Sequence, residues 1–476
     1  MEVHLRLDGR QDLTEQIYRQ VRAAIEQGRL RAGDQLPASR TLAKELGVSR
    51  NTVGSAYEWL AGEGLLEGRQ GAGTFVSRAD VRPAPAPDAV ATSALRPRAF
   101  WTKVGPPRTW APQRRRYDFR LGLPDASLFP FETWRRLLTS ELRRDTGSSG
   151  YGASAGHERL RAAIARHVGT ARAVQADADQ VVVTGGTQQG LDLIARVLLE
   201  PGDVVAVEEP GYPQARLLFE SLGMRVVPVP VDEHGLIVAD LPAAARLVFV
   251  CPSHQMPLGM PLSMPRRQAL LAWAEEHDAA VVEDDYDSEF RFGGRRMDAL
   301  HALDAAGRVF YVGTFSKTLE PALRLGFVIA PAPLAQVLAS ARYLSDWHSP
   351  LAGQAAMARF IEEGLFARHL HATRTEYEAR HGLLVQALSQ DDASELEPIS
   401  TSVGLHLTAL LPDGTAPEAE QALIERAGDL GVAFYGLSRF YAGHPARCGV
   451  ILGFGSIARA QIPEGVSRLL AAWRSR

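Results

Sequence analysis

The chain has 476 residues, of which 52 are Lys or Arg and 55 are Asp or Glu, so its formal net charge is −3. This balance excludes a polycation that would coat nucleic acid through bulk charge, and the presence of only two cysteines excludes a disulfide framework. The first residues form no apolar signal core and no apolar run reaches membrane-spanning length, so we expect a cytoplasmic protein of two or three domains without membrane contact.

Residues 1–78 have the pattern of a small helical domain closed by a β-hairpin. Apolar residues at every fourth position predict an amphipathic helix that starts at Leu13. Ser39 and Ser49 are placed to cap two further helices, which are separated by a tight turn at Gly47. A strand, a glycine-containing turn and a second strand follow. This order predicts an α/β winged helix-turn-helix fold.

The segment PASRTLAKELGVSRNTV, at residues 37–53, closely resembles the helix-turn-helix of the GntR family of bacterial regulators. The resemblance extends over roughly residues 12–77 and implies that the second helix of the motif enters the major groove of double-stranded operator DNA. It implies this set of DNA-facing residues: Arg40, Ser49, Arg50, Asn51, Thr52, Arg69, Gln70 and Gly71. The alternative is a helical domain that packs on another protein. The ordered caps, turn and wing favour DNA.

Residues 79–116 are rich in proline and predict a semi-rigid linker. From residue 117 to 476, short β-branched runs bounded by Gly, Pro or Asp alternate with helical stretches. These runs are residues 181–184, 204–207, 247–251, 280–283 and 309–313. The alternation predicts a doubly wound, largely parallel α/β sheet.

The stretch YVGTFSKTLEPALRLGF, at residues 311–327, holds one of only three lysines in the chain. It resembles the lysine loop of fold-type-I enzymes that use pyridoxal 5'-phosphate (PLP), which implies an aminotransferase-like domain with a mixed, mostly parallel sheet. The resemblance implies that Lys317 forms the Schiff base with the cofactor aldehyde and that Thr314, Ser316 and Arg324 hold its phosphate. The chemistry agrees, because an amine that can lose its proton condenses with an aldehyde and a guanidinium does not.

A second motif, VVEDDYDSEF at residues 281–290, is an apolar run that ends in carboxylates. A buried carboxylate keeps the pyridine nitrogen of PLP protonated, and we assign this role to Asp284, with Tyr286 donating to the phenolate oxygen. The usual aminotransferase spacing between these residues is three and here it is two, so Asp285 or Glu283 stays open as the carboxylate. Alone, the cluster would be a solvated turn or a divalent-metal site; with the lysine loop downstream we expect no metal.

Two further segments fit the same resemblance. Thr187 and Gln188 open a helix after a glycine turn, where free N–H groups and the helix dipole favour the phosphate. Tyr212 follows a strand end, where family members pack an aromatic ring against the cofactor.

The remaining resemblances concern the phenolate oxygen and the subunit interface. The sequence SHQMPLG stands where aminotransferases have an asparagine that contacts the phenolate oxygen, so His254 or Gln255 is expected to substitute. Tyr151 resembles the tyrosine that reaches the phosphate of the neighbouring subunit, which implies a homodimer with crossed sites.

Together with the winged helix, these motifs identify the chain as a member of the MocR/GabR subfamily of GntR regulators. Aminotransferases carry a substrate-carboxylate arginine on a C-terminal strand, but residues 450–454 read VILGF, and neither Arg439 nor Arg447 fits the pattern. GABA-responsive members have a second arginine at the position of Gln214. Without a guanidinium to pair with a carboxylate, we expect vestigial transaminase activity at most.

Three interpretations of the function follow. The first is a PLP-dependent transcriptional regulator that senses PLP itself to control vitamin B6 synthesis. The second is a regulator whose effector is a small amine, such as an amino acid, GABA or taurine, that condenses with the cofactor aldehyde. The third is a PLP-dependent aminotransferase with a DNA-binding appendage.

Overall fold

A computed structural model of the chain describes residues 5–9, 11–77, 96–104, 115–143, 150–293, 297–389 and 395–475. The chain divides into two compact units, Met1–Arg98 and Ala99–Arg476. The predicted proline-rich linker lies largely outside the described residues. Its described part contains a short helix at Ala99–Val104, a stretch that has no proline to interrupt it.

The first unit is a winged helix. Its helices are α1 (Leu13–Glu26), α2 (Ser39–Leu46) and α3 (Arg50–Gly62), and its strands are β1 (Leu66–Arg69) and β2 (Gly73–Val76). The two strands pair antiparallel as the predicted wing. Ile17, Leu42 and Val53, one from each helix, are fully buried and form the core with their neighbours. The prediction of a winged helix-turn-helix is therefore confirmed.

The two predicted caps differ. The Ser49 hydroxyl accepts a hydrogen bond from the Thr52 backbone N–H at 3.1 Å and caps α3, as expected. Ser39 is instead the first helical residue of α2, and Ala38 occupies the cap position without a side-chain hydrogen bond. The prediction of Ser39 as a cap is wrong by one position.

The second unit alternates helices and strands. Its helices are α4 (Ala99–Val104), α5 (Phe131–Arg143), α6 (Glu158–Arg172), α7 (Thr187–Leu198), α8 (Pro213–Ser221), α9 (Met264–Glu276), α10 (Ala332–Asp346), α11 (Leu351–Glu362), α12 (Leu365–Ser389), α13 (Pro417–Asp429) and α14 (Ile462–Arg474). Its strands are β3 (Tyr117–Asp118), β4 (Val181–Thr184), β5 (Val204–Glu209), β6 (Arg225–Asp232), β7 (Gly235–Leu236), β8 (Ala245–Val250), β9 (Ala280–Asp285), β10 (Val309–Thr314), β11 (Gly326–Ile329), β12 (Glu397–Pro398), β13 (His406–Leu410), β14 (Val432–Ala433), β15 (Tyr435–Gly436) and β16 (Gly449–Gly453).

The main sheet has eight strands in the order β4-β11-β10-β9-β8-β5-β6-β7. Only β11 and β7 run against the other strands. The sheet is therefore mixed and mostly parallel, as predicted, and the five predicted runs lie in β4, β5, β8, β9 and β10. Because parallel strands share one carboxyl edge, the loops after β5, β8, β9 and β10 meet there.

A smaller antiparallel sheet, in the order β12-β13-β16-β15, packs with α12, α13 and α14 around a second apolar core. None of the helices within the described ranges is long and apolar enough to span a membrane.

Candidate cofactor cavity and nucleic-acid interface

A cavity of about 440 Å³ lies where the carboxyl ends of β5, β8, β9 and β10 meet. Residues from the lysine loop, the carboxylate motif and the start of α7 line it together with residues from more distant segments. The lining residues include Gly122, Thr187, Gln188, Tyr212, Gln214, Met256, Asp284, Tyr286, Asp287, Thr314, Ser316, Lys317, Arg324, His406, Tyr435 and Arg439.

Lys317 lies at the base of this cavity, in the turn that follows β10. Its Nζ donates a hydrogen bond to the Gly122 carbonyl oxygen at 3.1 Å. Burial lowers the pKa of the Lys317 amine below its usual value, although the Asp287 and Asp284 carboxylates act in the opposite direction. A lowered pKa increases the share of neutral amine, which is the form that attacks an aldehyde.

The structure separates the three carboxylates at the end of β9. Glu283 accepts hydrogen bonds from the backbone N–H groups of Leu300 and His301, at 2.9 and 2.8 Å. Asp285 pairs with Arg172, whose Nε lies 2.7 Å from Oδ2. Only Asp284, on the opposite face of the strand because side chains alternate, lines the cavity.

Asp284 has the environment that a protonated pyridine nitrogen requires. Its Oδ1 is buried and has no hydrogen-bond partner among the described residues. Burial, together with the neighbouring Asp285 carboxylate, raises the pKa of Asp284 to about 7. A cationic N–H group beside Oδ1 would satisfy the unpartnered oxygen and stabilise the ionised carboxylate. The residues present therefore fit the pyridine ring of PLP.

Another part of the cavity lining fits a phosphate. Gly186, in the left-handed region with φ 111°, precedes the first helical residue of α7, Thr187. A Cβ on Gly186 would lie 3.0 Å from an Nη atom of Arg324, so the guanidinium packs directly beside this helix start. Helix N–H groups, a guanidinium and the hydroxyls of Thr314 and Ser316 form a suitable cradle for a dianion.

Of the four residues predicted to contact the cofactor ring or its phenolate oxygen, two line the cavity and two do not. Tyr212 and Tyr286 line it, and the Tyr286 hydroxyl donates to the His254 carbonyl oxygen at 2.9 Å. His254 and Gln255 do not line it. The Gln255 amide donates to two backbone carbonyls, those of Pro210 and Met256, each at 2.8 Å.

His254 belongs instead to a buried polar cluster behind Tyr286. Its Nδ1 lies 2.9 Å from Asp287 Oδ1, and the Leu405 backbone N–H donates to the other carboxylate oxygen at 3.1 Å. The ligand-type atoms of His254, Asp287 and His406 lie within 4.8 Å of one another. Burial holds the pKa of His406 well below its usual value, so its ring is neutral. His406 lies in no motif of the sequence, and Asp287 lies within the carboxylate motif at a position to which no resemblance assigns a role.

Tyr151 lies on the surface, outside the cavity of its own chain. The residue is 75% exposed, and its ring centroid lies 3.9 Å from that of the Trp347 ring. The role predicted for it in a neighbouring subunit stays a prediction.

The structure also distinguishes the two arginines near the C-terminal strand. Arg447 pairs with Asp413, at 3.0 Å between Nη1 and Oδ1, whereas Arg439 lines the cavity. Val450, Ile451 and Leu452 are buried in β16, so the strand itself offers no cation. Arg439 is not on the strand, in agreement with the sequence pattern, but a short turn before β16 brings it into the cavity lining.

The predicted DNA-facing residues lie on the surface of the winged helix. Arg50 and Asn51 are exposed in the first turn of α3, and Arg40 is exposed on α2. The hydroxyl groups of Ser49 and Thr52 are hydrogen-bonded to each other, with 2.8 Å between their oxygens. In the wing, Gln70 and Gly71 are exposed at the turn, and Arg69 pairs with Glu67 and lies 4.6 Å from the Phe75 ring.

Comparison with known proteins gives two family matches. Residues 13–76 match bacterial regulatory proteins of the gntR family, and residues 123–436 match class I and II aminotransferases. The solved α-aminoadipate aminotransferase LysN of Thermus thermophilus, complexed with N-(5'-phosphopyridoxyl)-L-leucine, is 31% identical with a TM-score of 0.69, over 75% of this chain and 92% of that one. Pyrococcus horikoshii kynurenine aminotransferase is 28% identical with a TM-score of 0.71, over 82% and 96%. The prediction of PLP as cofactor is confirmed.

Relatives that span both units are regulators. The probable rhizopine catabolism regulatory protein MocR of Rhizobium meliloti is 39% identical over 96% of this chain and 93% of its own length. The pyridoxine biosynthesis regulator PdxR of Corynebacterium glutamicum is 33% identical over 93% and 91%, and TauR of Rhodobacter capsulatus is 35% identical over 98% and 97%. The chain therefore belongs to the MocR/GabR-type family of transcriptional regulators, in which a GntR-type DNA-binding domain precedes an aminotransferase-type domain that binds PLP.

Proposed function

We propose that this regulator binds operator DNA as a homodimer and that occupancy of its PLP cavity sets the affinity for that DNA. The observation that carries the proposal is that one cavity is lined by Lys317, by a phosphate-type cradle and by the buried Asp284 carboxylate, whose Oδ1 has no hydrogen-bond partner among the described residues, in a chain that also has an exposed recognition helix. One polypeptide therefore carries both a cofactor-binding cavity and a DNA-recognition helix.

Each residue of the cavity has a separate task in this proposal. PLP supplies an aldehyde that condenses with amines. Lys317 provides the amine that holds it, Asp284 keeps the pyridine nitrogen protonated, and Tyr212 packs against the ring. Thr187, Gln188, Thr314, Ser316 and Arg324 bind the phosphate. Tyr286 is the remaining candidate for the phenolate oxygen, since it lines the cavity.

The DNA-binding role rests on the placement of exposed residues on α2, α3 and the wing. Arg50 and Asn51 are the residues for base edges, and Arg40, Ser49 and Thr52 are those for phosphates. Arg69, Gln70 and Gly71 contact the DNA through the wing. A regulator of this class acts where the chromosome is, so we place the protein in the bacterial cytoplasm.

Dimerisation is supported by an apolar patch on the second unit. Tyr151, Tyr343, Leu344 and Trp347 lie together there, and Leu344 is 84% exposed. Exposed apolar groups of this size are typical of interfaces. We propose that the patch is covered by a second copy of the chain and that Tyr151 reaches its partner's phosphate site. We also propose that residues 1–78 form the DNA-binding domain, residues 79–116 the linker and residues 117–476 the PLP-binding domain.

The effector has two candidates. Sensing of PLP itself requires no substrate arginine, and the absence of a cation from β16 supports it, as does similarity to a regulator of pyridoxine biosynthesis. The position of Arg439 in the cavity wall favours a small amine that bears an acidic group. In both cases we expect transaminase turnover to be vestigial.

The proposal is tested by measuring operator affinity of the apo-protein with and without added PLP. An effector shifts the equilibrium only if it binds two states differently, so we expect a change of several-fold. Lys317→Ala should lose most of this response and retain the affinity of the apo-protein. Rapid transamination of an amino donor, together with an operator affinity that changes with neither PLP nor amines, would instead favour an aminotransferase with a DNA-binding appendage.

A further inference from the structure

We propose that Asp346, at the end of α10, is a positioning residue that couples the phosphate cradle of the cofactor cavity to the apolar patch. The cradle is the group formed by the start of α7, Arg324, Thr314 and Ser316. Through this link, cofactor binding and association with a second copy of the chain strengthen each other. The inference rests on the proposed function, because it concerns the same cavity and the same patch and adds how one acts on the other.

One end of the link is the glycine turn that precedes α7. The Gly185 backbone N–H donates a hydrogen bond to Gln189 Oε1 at 2.7 Å, and Gln189 Nε2 donates to Asp346 Oδ2 at 2.9 Å. Gly186, the next residue of the turn, lies beside the Arg324 guanidinium and directly before the first residue of α7. The Gln189 side chain therefore uses its acceptor to fix the cradle turn and its donor to fasten that turn to α10.

Asp346 is held from its other side by Arg342, one helical turn earlier. The Arg342 guanidinium is fully buried and pairs with the Asp346 carboxylate. It also donates to the Val183 carbonyl oxygen in β4 and to the Ser349 hydroxyl at 2.8 Å. One buried guanidinium thus joins the strand that leads into the cradle turn to the segment that follows α10. Because an unpaired buried charge is costly, the guanidinium favours the arrangement in which all these contacts are made.

The residue after Asp346 has a strained backbone. Trp347 has φ 64° and ψ −68°, and the His348 N–H donates to the Asp346 carbonyl oxygen at 2.8 Å, which closes a three-residue γ-turn. This form of γ-turn is rare, and a strained residue that is not glycine persists only where its surroundings hold it. The contacts of Arg342 and Asp346 are the surroundings that hold it here. Strain of this kind is typical of segments that switch between two arrangements.

The strained turn also carries part of the apolar patch. The Trp347 ring centroid lies 3.9 Å from that of Tyr151 and 5.1 Å from that of Tyr343. His348 Nε2 accepts a hydrogen bond from the Gly152 N–H at 3.1 Å, which ties the segment of Tyr151 to the same turn. The turn therefore determines how the patch is presented to a second copy of the chain.

Binding at either end favours the same arrangement of these contacts. A bound phosphate orders the cradle turn and, through Gln189 and Asp346, the strained turn as well. A second copy that covers the patch orders the same contacts from the other end. An ordering cost that one partner has met is not met again by the other, which gives positive coupling. Such coupling is reciprocal, so PLP strengthens association by the factor by which association strengthens PLP binding.

Gln189→Glu interrupts the link at one bond. A glutamate at this position still accepts from the Gly185 N–H, but it offers no donor to Asp346 and repels its carboxylate. Gln336→Glu is the matched control, because it makes the same change of charge at an exposed position of α10 that belongs to none of these contacts. Tyr151→Phe is the background, since it removes the hydroxyl proposed to reach the partner's phosphate site directly.

The experiment measures dimer dissociation constants of the full-length protein, with and without bound PLP, by sedimentation velocity of fluorescence-labelled protein. In the Tyr151→Phe background we expect PLP to strengthen association by about fivefold or more. Addition of Gln189→Glu should reduce this factor to less than about twofold, whereas Gln336→Glu should leave it unchanged. Gln189→Met, which removes both hydrogen bonds without adding charge, should act like Gln189→Glu. Hydrogen exchange gives a second measurement, because PLP should slow exchange at residues 346–349 in Gln336→Glu but not in Gln189→Glu.

The visible absorption of bound PLP monitors cofactor loading in every variant. Equal effects of PLP on association in Gln189→Glu and Gln336→Glu would overturn the link. Association that does not change with PLP, or no association at all, would also overturn it, and an operator affinity that still responds to PLP would then leave the proposed role of the cavity intact. An operator affinity that ignores PLP, together with an effect of PLP on association that depends on Gln189, would overturn the proposed function and leave the link in place.

Discussion

Arg172 and Asp285 form a buried ion pair behind the cavity, with Arg172 Nε 2.7 Å from Asp285 Oδ2. The Tyr311 hydroxyl donates to the same carboxylate oxygen at 2.6 Å. Burial alone would raise the pKa of Asp285, but the Arg172 charge, with hydrogen bonds from Ser288 and Tyr311, holds it below its usual value. Asp285 is thereby kept ionised next to Asp284, whose pKa its charge helps to raise. The pair therefore contributes to the electrostatics of the cavity without entering it.

The first prediction concerns the stability of this pair. Arg172→Met should lower the free energy of unfolding by about 3–5 kcal/mol, because it leaves the Asp285 carboxylate buried and unpaired. The exposed pair of Arg19 with Glu15 is the control, and Arg19→Met should change stability by less than about 1 kcal/mol. Denaturant unfolding monitored by circular dichroism measures both, and equal small effects would contradict the buried role.

The second prediction concerns Lys317. Lys317→Ala should remove the visible absorption band of PLP-loaded protein and leave no cofactor attached after borohydride reduction, because no other amine among the described residues lines the cavity. The control is Lys44→Ala, which changes an exposed lysine of α2 and should keep both properties. If Lys317→Ala retained reducible cofactor, the assignment would be wrong.

The third prediction is a pH dependence from Asp284. Its pKa is raised to about 7 in the folded protein, above the roughly 3.9 of an unfolded chain. The folded state therefore binds more protons between these values, and stability contributed by the protonated carboxyl is lost as the pH rises from about 4 to about 7. Asp284→Asn should gain stability relative to wild-type apo-protein across this window. Unfolding free energies measured at several pH values test this, and parallel curves would contradict it.

The same substitution should act oppositely once PLP is present. A neutral amide in place of the Asp284 carboxylate does not keep the pyridine nitrogen protonated, so Asp284→Asn should bind PLP more weakly than wild type although its apo-form is more stable. Dissociation constants from absorbance titration measure this directly.

Much of the fold could be predicted because its signals are local. The five buried strand runs, the helix stripe and the hairpin each lie within a short stretch of sequence, and the lysine loop is one continuous segment. Asp284 is one of three neighbouring carboxylates, and the alternation of side chains along β9 explains why it lines the cavity whereas Glu283 and Asp285 do not.

The rest of the cavity could not be predicted because it is assembled from distant segments. Gly122, Asp287 and His406 lie far apart in the sequence and share no motif, and the tertiary fold brings them together at the cavity. Gln255 was expected at the phenolate oxygen, but the need to satisfy buried backbone carbonyls holds its amide elsewhere. Arg439 lies outside the C-terminal strand on which aminotransferases carry their substrate arginine, and a turn that no sequence pattern marks brings it to the cavity.

The fourth prediction concerns DNA. Arg50→Ala should cost about 1–3 kcal/mol of binding to the operator and much less on random DNA, because its side chain is placed for base edges. Arg69→Ala should weaken binding to both DNAs alike and reduce the salt dependence, as expected for a phosphate contact in the wing. Fluorescence anisotropy at several salt concentrations distinguishes them, and equal loss of Arg50→Ala on both DNAs would contradict its base-reading role.

The last prediction concerns crossed sites in the proposed dimer. Leu344→Asp should dissociate the protein, because it places a charge in the exposed apolar patch, whereas Leu430→Asp, at a separate exposed position, should not. Sedimentation velocity measures the oligomeric state of both variants. Tyr151→Phe should keep the dimer and weaken PLP binding by removing one hydroxyl from the partner's phosphate site.

Mixed dimers then decide whether the sites cross. A dimer of one Lys317→Ala chain and one Tyr151→Phe chain contains the intact Lys317 in the second chain and the intact Tyr151 in the first. If Tyr151 serves the partner's cavity, these two residues meet in one complete site, and the mixed dimer binds one PLP with wild-type affinity. If Tyr151 contacts the cavity of its own chain, or no cavity, the mixed dimer binds PLP no more tightly than the Tyr151→Phe homodimer does. Absorbance titration of purified mixed dimers, carrying different affinity tags on the two chains, separates these results.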